Sequence, residues 1–300
     1  MSGDFLAVVN PAAGGGRGRK LVGPALDRLR AGGVSVDVIE TGGPGHGVQL
    51  ARDGWTRGYR KFIAVGGDGT ACEIVNGLFP RESSADPATL AFLPLGTGNS
   101  FLRDFSDRGV EHALEAILAK RSRPCDVLRM QHTTGVLHFI NLLSMGFAAD
   151  VAMLRARSFS AWGELGYQAS IFISLVRLRR RPFPLRVNGQ AEIDRRPCLF
   201  LTFNNSKFTG GTMMIAPKAE VDDGLIEYVR WGPIGRIGLI RNLPTLYDGT
   251  HIRHPLAERH AAKQIDFYLD APVDVMVDGE VMTLQCQKLD VVPSALNVVV

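Results

Sequence analysis

The run Val65-Gly66-Gly67-Asp68-Gly69-Thr70 follows a short apolar stretch, Phe62-Ile63-Ala64-Val65, and leads into Cys72-Glu73-Ile74-Val75-Asn76-Gly77-Leu78-Phe79, which reads as a helix. Three glycines let the backbone turn sharply and let a large anion come close to main-chain N–H groups. The helix that follows aims its positive dipole end into the same space. One carboxylate, Asp68, stands in the middle and suits a magnesium ion accompanying a polyphosphate. These residues point to a nucleotide phosphate site with a metal-handling acid. An ordinary strand-to-helix turn with a capping Asp is the alternative for this segment alone.

A second loop, Pro94-Leu95-Gly96-Thr97-Gly98-Asn99-Ser100, follows an apolar run at 89–93. Gly96 and Gly98 leave N–H groups free, and Thr97 and Asn99 add small hydrogen-bonding side chains suited to phosphate or ribose; a plain turn with an Asn cap fits too. Glu220, Asp222, Asp223, Gly224 and Leu225 place acids beside a glycine turn, and a solvated acidic turn is the commoner explanation of such a run. Asp278-Gly279-Glu280 sets two carboxylates around a glycine, although Asp-Gly is a routine hairpin turn. The chain has no Gly-Lys-Ser/Thr and no G-x-G-x-x-G, which removes the Walker loop and the usual dinucleotide fingerprint. G-x-S-x-G and H-E-x-x-H are also missing.

The elements that must hold these loops alternate in the first third. Phe5-Leu6-Ala7-Val8-Val9 is a strand ending at Asn10-Pro11 and a Gly-rich loop. Leu21, Ala25, Leu26 and Leu29 share a helical face, stopped by Gly32-Gly33. Val34, Val36 and Val38 alternate as a strand, and a helix at 48–57, strands at 62–65 and 89–93 and a helix from 71 continue the pattern. Such alternation implies a parallel sheet with crossover helices, and ligands of such sheets sit outside the carboxyl ends of the strands. After a helix near 111–120 the texture turns to strands, at 126–130, 136–143, 185–187, 197–204, 225–229, 264–268, 273–277 and 284–291. Only 161–179 and 234–247 read as helical there. The expected organisation is an α/β domain over 1–125 and a mainly β domain over 126–300.

At 300 residues, 45% hydrophobic and 21% charged, the chain has core enough for two domains. A net charge of +4 is too weak to argue for nucleic acid. Cys72, Cys125, Cys198 and Cys286 lie far apart without metal spacing, as reduced cytosolic thiols do. The first residues lack signal-peptide character, and the longest apolar run, near 169–176, is far below the about 18 residues of a membrane span. A cytoplasmic chain that does not cross a bilayer is expected.

Taken together these segments resemble the diacylglycerol kinase catalytic superfamily, which includes diacylglycerol, sphingosine and ceramide kinases and bacterial relatives. The likeness starts at Asn10-Pro11-Ala12-Ala13-Gly14-Gly15 and passes through Thr41, the GGDGT run at 66–70 and the PLGTGN run at 94–99. It continues through Gly146-Phe147, the block at 204–211, Asp222-Asp223-Gly224 and Asp278-Gly279-Glu280, nearly the whole chain. GGDGT alone also occurs in NAD kinases and phosphofructokinases; with PLGTGN and the late acids it is specific.

The resemblance implies an NAD-kinase-like α/β domain with a parallel sheet and a C-terminal β-sandwich domain whose last residues pack back on the first. It places the active site in the cleft between the two, for ATP-dependent phosphorylation of a lipid hydroxyl. ATP contacts map onto Asn10, Pro11, Ala12, Ala13, Gly14, Thr41, Gly66, Gly67, Asp68, Gly69, Thr70, Ala71, Cys72, Gly96, Thr97, Gly98 and Asn99. Asp68 helps to place the Mg2+ of the nucleotide. A structural Mg2+ carries over to Asp223, with Glu220 and Leu225 contributing through backbone carbonyls. Asp278 and Glu280 face the transferred group. Magnesium lowers the pKa of an acid it binds and makes it a poor base, so Glu280 is our preferred base, supported by Asp278.

Many bacterial members carry Asp where this chain has Ser100, which leaves diacylglycerol, a sphingoid base and other lipid alcohols open as acceptors. Arg177, Arg179, Arg180 and Arg181 follow apolar positions 171, 172, 175 and 176, a pattern suited to peripheral contact with an anionic membrane surface or to a solvated helix end. Homodimers are implied by analogy. An NAD kinase or other small-molecule kinase, and a nucleotide-binding module without transfer, are the competing functions.

Overall fold

The computed structural model describes residues 3–16, 18–79, 87–96, 99–159 and 162–300. Thr97 and Gly98 lie outside these. The chain divides into two compact units, one of residues 1–127, 138–140 and 292–300, the other of residues 128–137 and 141–291.

The first unit alternates β1 (Phe5–Val9), α1 (Gly18–Ala31), β2 (Val36–Glu40), α2 (His46–Thr56), β3 (Lys61–Gly66), α3 (Asp68–Leu78), β4 (Ala88–Pro94) and α4 (Val110–Leu118). The strands pair in parallel in the order β2-β1-β3-β4. β1 is buried at every position and β3 and β4 nearly so, as strands covered on both faces must be. β2, at the edge, is buried only at Val36, with Asp37 and Ile39 half-buried and Val38 and Glu40 exposed. On α1, Ala25, Leu26 and Leu29 are buried but Leu21 is exposed, so the apolar face is one residue shorter than its spacing suggests. The register matters for function. Val9 pairs with Val65 and Val65 with Leu93, so β1, β3 and β4 end in one row and discharge their loops side by side.

The later elements are β5 (Ser122–His132), β6 (Gly135–Phe139), β7 (Leu142–Gly146), α5 (Phe147–Ser158), α6 (Gly163–Val176), β8 (Arg181–Pro182), β9 (Leu185–Val187), β10 (Pro197–Cys198), β11 (Phe200–Asn204), β12 (Phe208–Thr209), β13 (Met213–Met214), β14 (Ile226–Trp231), α7 (Arg236–Asn242), α8 (Thr245–Asp248), β15 (Ala257–Ala262), β16 (Gln264–Phe267), β17 (Val273–Val277), β18 (Glu280–Leu284) and β19 (Cys286–Val299). In the second unit a six-stranded antiparallel sheet runs β15-β14-β11-β7-β17-β18. The first part of β19 pairs with β16, and β16 with β9, both antiparallel. The end of β19, in the first unit, pairs in parallel with β4.

Several expected elements differ. The single strand expected at 136–143 is broken, because the Asn141 and Leu142 N–H groups donate to the Asp278 carboxylate. The strand expected to stop at 291 runs on through Pro293. Ser294 takes a left-handed conformation (φ 48°), and its N–H donates to Asp126 at 2.7 Å. The helical stretch at 234–247 is two helices, since Pro244 interrupts the backbone ladder. α5 was not anticipated: only Ala149, Val151 and Met153 are buried, too sparse a pattern for a periodic signal. All four cysteines are free thiols, and among the described residues no helix is long and apolar enough to cross a membrane.

Candidate functional site

Three loops meet at the carboxyl end of the parallel sheet. After β1, the Asn10 N–H donates to Val65 O at 2.9 Å, and Asn10 Oδ1 accepts the Ala12 N–H at 3.0 Å, closing a tight turn. Ala13 donates to Asn10 O, and Gly14 then takes φ 62°. A Cβ on Gly14 would lie 2.6 Å from Leu95 O, so both the conformation and the approach of the neighbouring loop demand glycine. Thr41, after β2, is buried and its N–H reaches Val9 O at 2.8 Å.

The loop after β3 is the tightest. Gly66 O accepts the N–H groups of Leu95 and Gly96, both at 2.9 Å, which stitches it to the loop after β4. A Cβ on Gly96 would meet the Gly67 backbone at 2.6 Å. Thr70 and Ala71 donate to Gly67 O, leaving Asp68 and Gly69 as the first-turn donors of α3 without an intrahelical partner. Ala71 and Cys72 are buried in the helix, so any part they take passes through the backbone. Asn99 Nδ2 donates to Gly96 O at 2.8 Å.

Asp68 is held by the β4 loop. Its carboxylate accepts the Ser100 N–H at 2.8 Å and the Phe101 N–H at 3.4 Å, and the Ser100 hydroxyl also bonds to it. Burial raises its pKa to about 6, against the lowering effect of these donors. A small cavity of about 10 Å³ lies against Gly66, Gly67, Asp68, Asn99 and Leu102. The Thr70 hydroxyl is buried and has no partner among the described residues. An orphaned hydroxyl beside glycines that tolerate no Cβ, with two open helix donors, fits the phosphates of a nucleotide.

In the second unit, β17 and β18 form a hairpin whose turn is Asp278-Gly279. Asp278 has φ 46°, is buried, and its carboxylate accepts the N–H groups of Asn141 at 3.1 Å and Leu142 at 2.9 Å. Its own N–H returns to Leu142 O at 3.0 Å. The Asn141 amide oxygen in turn accepts the Ser206 hydroxyl. Glu280, two residues on, is exposed. The resemblance set Asp278 beside Glu280 as an acid facing the reaction. The observed geometry makes Asp278 the brace of the turn that presents Glu280. Asn141, the other half of that brace, carries no sequence signal because it lies 137 residues away.

Glu220 and Asp223 are both exposed, and Asp223 Oδ1 accepts the Leu225 N–H at 2.9 Å. Among the described residues, no group of three or more His, Cys, Asp and Glu side chains converges as a metal site. An ion at this turn would have fewer than three such side chains and would draw its remaining ligands from backbone carbonyls and water.

The diacylglycerol kinase catalytic domain model matches residues 4–130, and the model of the YegS C-terminal NAD kinase beta sandwich-like domain matches residues 141–300. A diacylglycerol kinase of Mycobacterium tuberculosis is 28% identical over 302 residues, covering 99% of this chain and 94% of that protein. A protein of Chromohalobacter salexigens named "Probable lipid kinase YegS-like" is 35% identical over 219 residues, 68% of this chain and 64% of its own length. A crystal structure described as a diacylglycerol kinase from Bacillus anthracis superposes with a TM-score of 0.73 at 20% identity, covering 98% of this chain and 96% of that one, a likeness of fold.

Proposed function

The chain belongs to the lipid kinases of the diacylglycerol kinase family, and from that premise we propose that it moves the γ-phosphoryl group of Mg·ATP to the hydroxyl of a lipid alcohol at a membrane surface. The observation that carries the nucleotide half is the orphaned Thr70 hydroxyl in its glycine cradle. Asn10 to Gly14, Thr41 and Gly66 to Thr70 form the phosphate-facing set, with Asn99 closing it. Asp68 would hold the nucleotide's magnesium, whose charge offsets that developing on the phosphates. Glu280 takes the hydroxyl proton as the lipid oxygen bonds to the γ-phosphorus and ADP leaves. Asp278 holds the turn that carries Glu280. Phosphoryl transfer asks mainly for alignment and charge neutralisation, and a positioned base adds about 10²–10⁴-fold.

The acceptor is the open variable. Ser100 is buried with its backbone committed to Asp68, so this position offers no carboxylate to a headgroup. The reading is tested with labelled ATP, magnesium and detergent-dispersed diacylglycerol, sphingosine or NAD. Label entering the organic phase is expected. Labelled NADP would replace the reading with an NAD kinase, and bound ATP without transfer would leave a nucleotide-binding module. Absence of heat on mixing with Mg·ATP would remove the nucleotide site itself.

A further inference from the structure

We propose that the outward faces of α6 and α7 form a docking surface for an anionic lipid bilayer. α6 carries an apolar face toward solvent besides the side it packs inward. Gly166, Ser170 and Ser174 are buried, and the Ser170 hydroxyl satisfies itself on Gly166 O at 2.7 Å. Leu165, Phe172 and Val176, one face at helical spacing, are 76%, 66% and 55% exposed. The helix packs Leu175 against the core and leaves these three large apolar side chains at the surface.

α7 extends the patch. Its inner side gives Leu239 to the core, while Ile237 and Ile240 are 68% and 51% exposed. The Arg236 guanidinium donates to the last carbonyls of α6, Leu175 at 3.1 Å and Val176 at 2.8 Å, which brings the end of one helix against the start of the other. The apolar residues of both helices thereby belong to one region, larger than scattered surface leucines would make.

Charge decides the occupant. Residues 165–181 contain Arg177, Arg179, Arg180 and Arg181 and no acid; residues 233–247 contain Arg236 and Arg241 and no acid. Arg181 is paired with Asp150, while the others have no carboxylate partner among the described residues. Six arginines thus stand in these two segments, against Glu164 at the start of α6 and the Asp150 that pairs with Arg181, so the region is basic. A second copy of the chain docked through it about a twofold axis would oppose arginines to arginines. A bilayer surface accepts both components: side chains such as Phe172 and Ile237 enter the acyl boundary, and the guanidinium groups stay at lipid phosphates.

The inference deepens the proposed function, because a lipid acceptor must be drawn from a membrane, yet its test needs no turnover. Flotation with phosphatidylcholine vesicles, with and without phosphatidylglycerol, should show binding that depends on the anionic lipid and weakens with salt. Arg179→Glu with Arg241→Glu should weaken it by at least fivefold for each arginine, roughly the worth of one cation near such a surface. Phe172→Ser with Ile237→Ser should weaken binding with melting unchanged, and both variants should keep wild-type turnover on detergent-dispersed lipid. Wild-type protein that ignores anionic vesicles, or variants that bind as wild type, would overturn the proposal. So would sedimentation showing that either variant splits a dimer. Vesicle binding without phosphoryl transfer would sink the kinase reading and leave the surface; transfer on micelles without vesicle binding would do the reverse.

Discussion

Asp68 and the Asp278–Glu280 turn handle the same problem, a carboxylate beside backbone donors, in different ways. Asp68 is folded into the junction of two glycine loops, with Ser100 and Phe101 N–H groups on it and its pKa raised by burial to about 6. On the other hairpin the tasks are divided. Asp278 takes the backbone donors of Asn141 and Leu142, and Glu280 is left exposed. At the glycine junction one acid both accepts the backbone donors and lies in the loop, whereas on the hairpin the acid that accepts the donors and the exposed acid are different residues.

Glu280→Gln should break this comparison most directly. It keeps the hairpin and removes the proposed base, and kcat on lipid should fall by about 10²–10⁴-fold with an unchanged melting temperature. A fall of less than tenfold would rule out Glu280 as the base.

Asp278 should separate bracing from chemistry. Asp278→Ala strands two backbone N–H groups, each costing about 1–3 kcal/mol if buried, and loses a residue that tolerates a left-handed backbone. Asp278→Asn retains an acceptor and that tolerance, so stability and most turnover should survive. Equal loss of turnover in both variants would show that the charge itself is used.

Gly14→Ala comes next. Strain at φ 62° adds to a 2.6 Å approach to Leu95 O, so ATP affinity should drop at least tenfold, read by calorimetry, while the β17–β18 hairpin is untouched.

The pH profile sharpens the Asp68 half. Its folded-state pKa of about 6 exceeds the ordinary 3.8, so the folded protein binds the extra proton and ionisation costs stability. That contribution to stability is lost as pH rises from 3.8 to about 6, and Asp68→Asn should flatten this slope. Turnover should rise through the same window in wild type, with a midpoint that magnesium lowers. The smallest effect belongs to Asp223→Ala, which loses its Leu225 N–H bond and should lower stability by about 0.5–1.5 kcal/mol. Magnesium should raise the wild-type melting temperature but not the variant's if an ion sits at that turn.

Much of the fold was legible because its signals are local. Apolar runs of strand length, alternating with helical spacing and punctuated by glycines, specify a parallel α/β sheet, and crowding of short strands after residue 125 specifies the β-rich remainder. The elements that were missed depend on distant partners. β6 and β7 separate where Asp278 takes the Asn141 and Leu142 donors, and β19 continues past Pro293 where Asp126 takes the Ser294 donor. α5 escaped because its buried residues are few and the helix rests on neighbours, not on its own periodicity.

The chain's own residues determined where backbone would turn sharply and which acids stood beside those turns, since glycine and carboxylate chemistry is intrinsic to the residue. Only the tertiary structure decided what each acid became. Burial lifts Asp68, the Asn141–Leu142 corner claims Asp278, and α6 leaves Leu165, Phe172 and Val176 at the surface. Solvation and hydrogen-bond supply are set by what the folded chain brings alongside, and no local spacing encodes them.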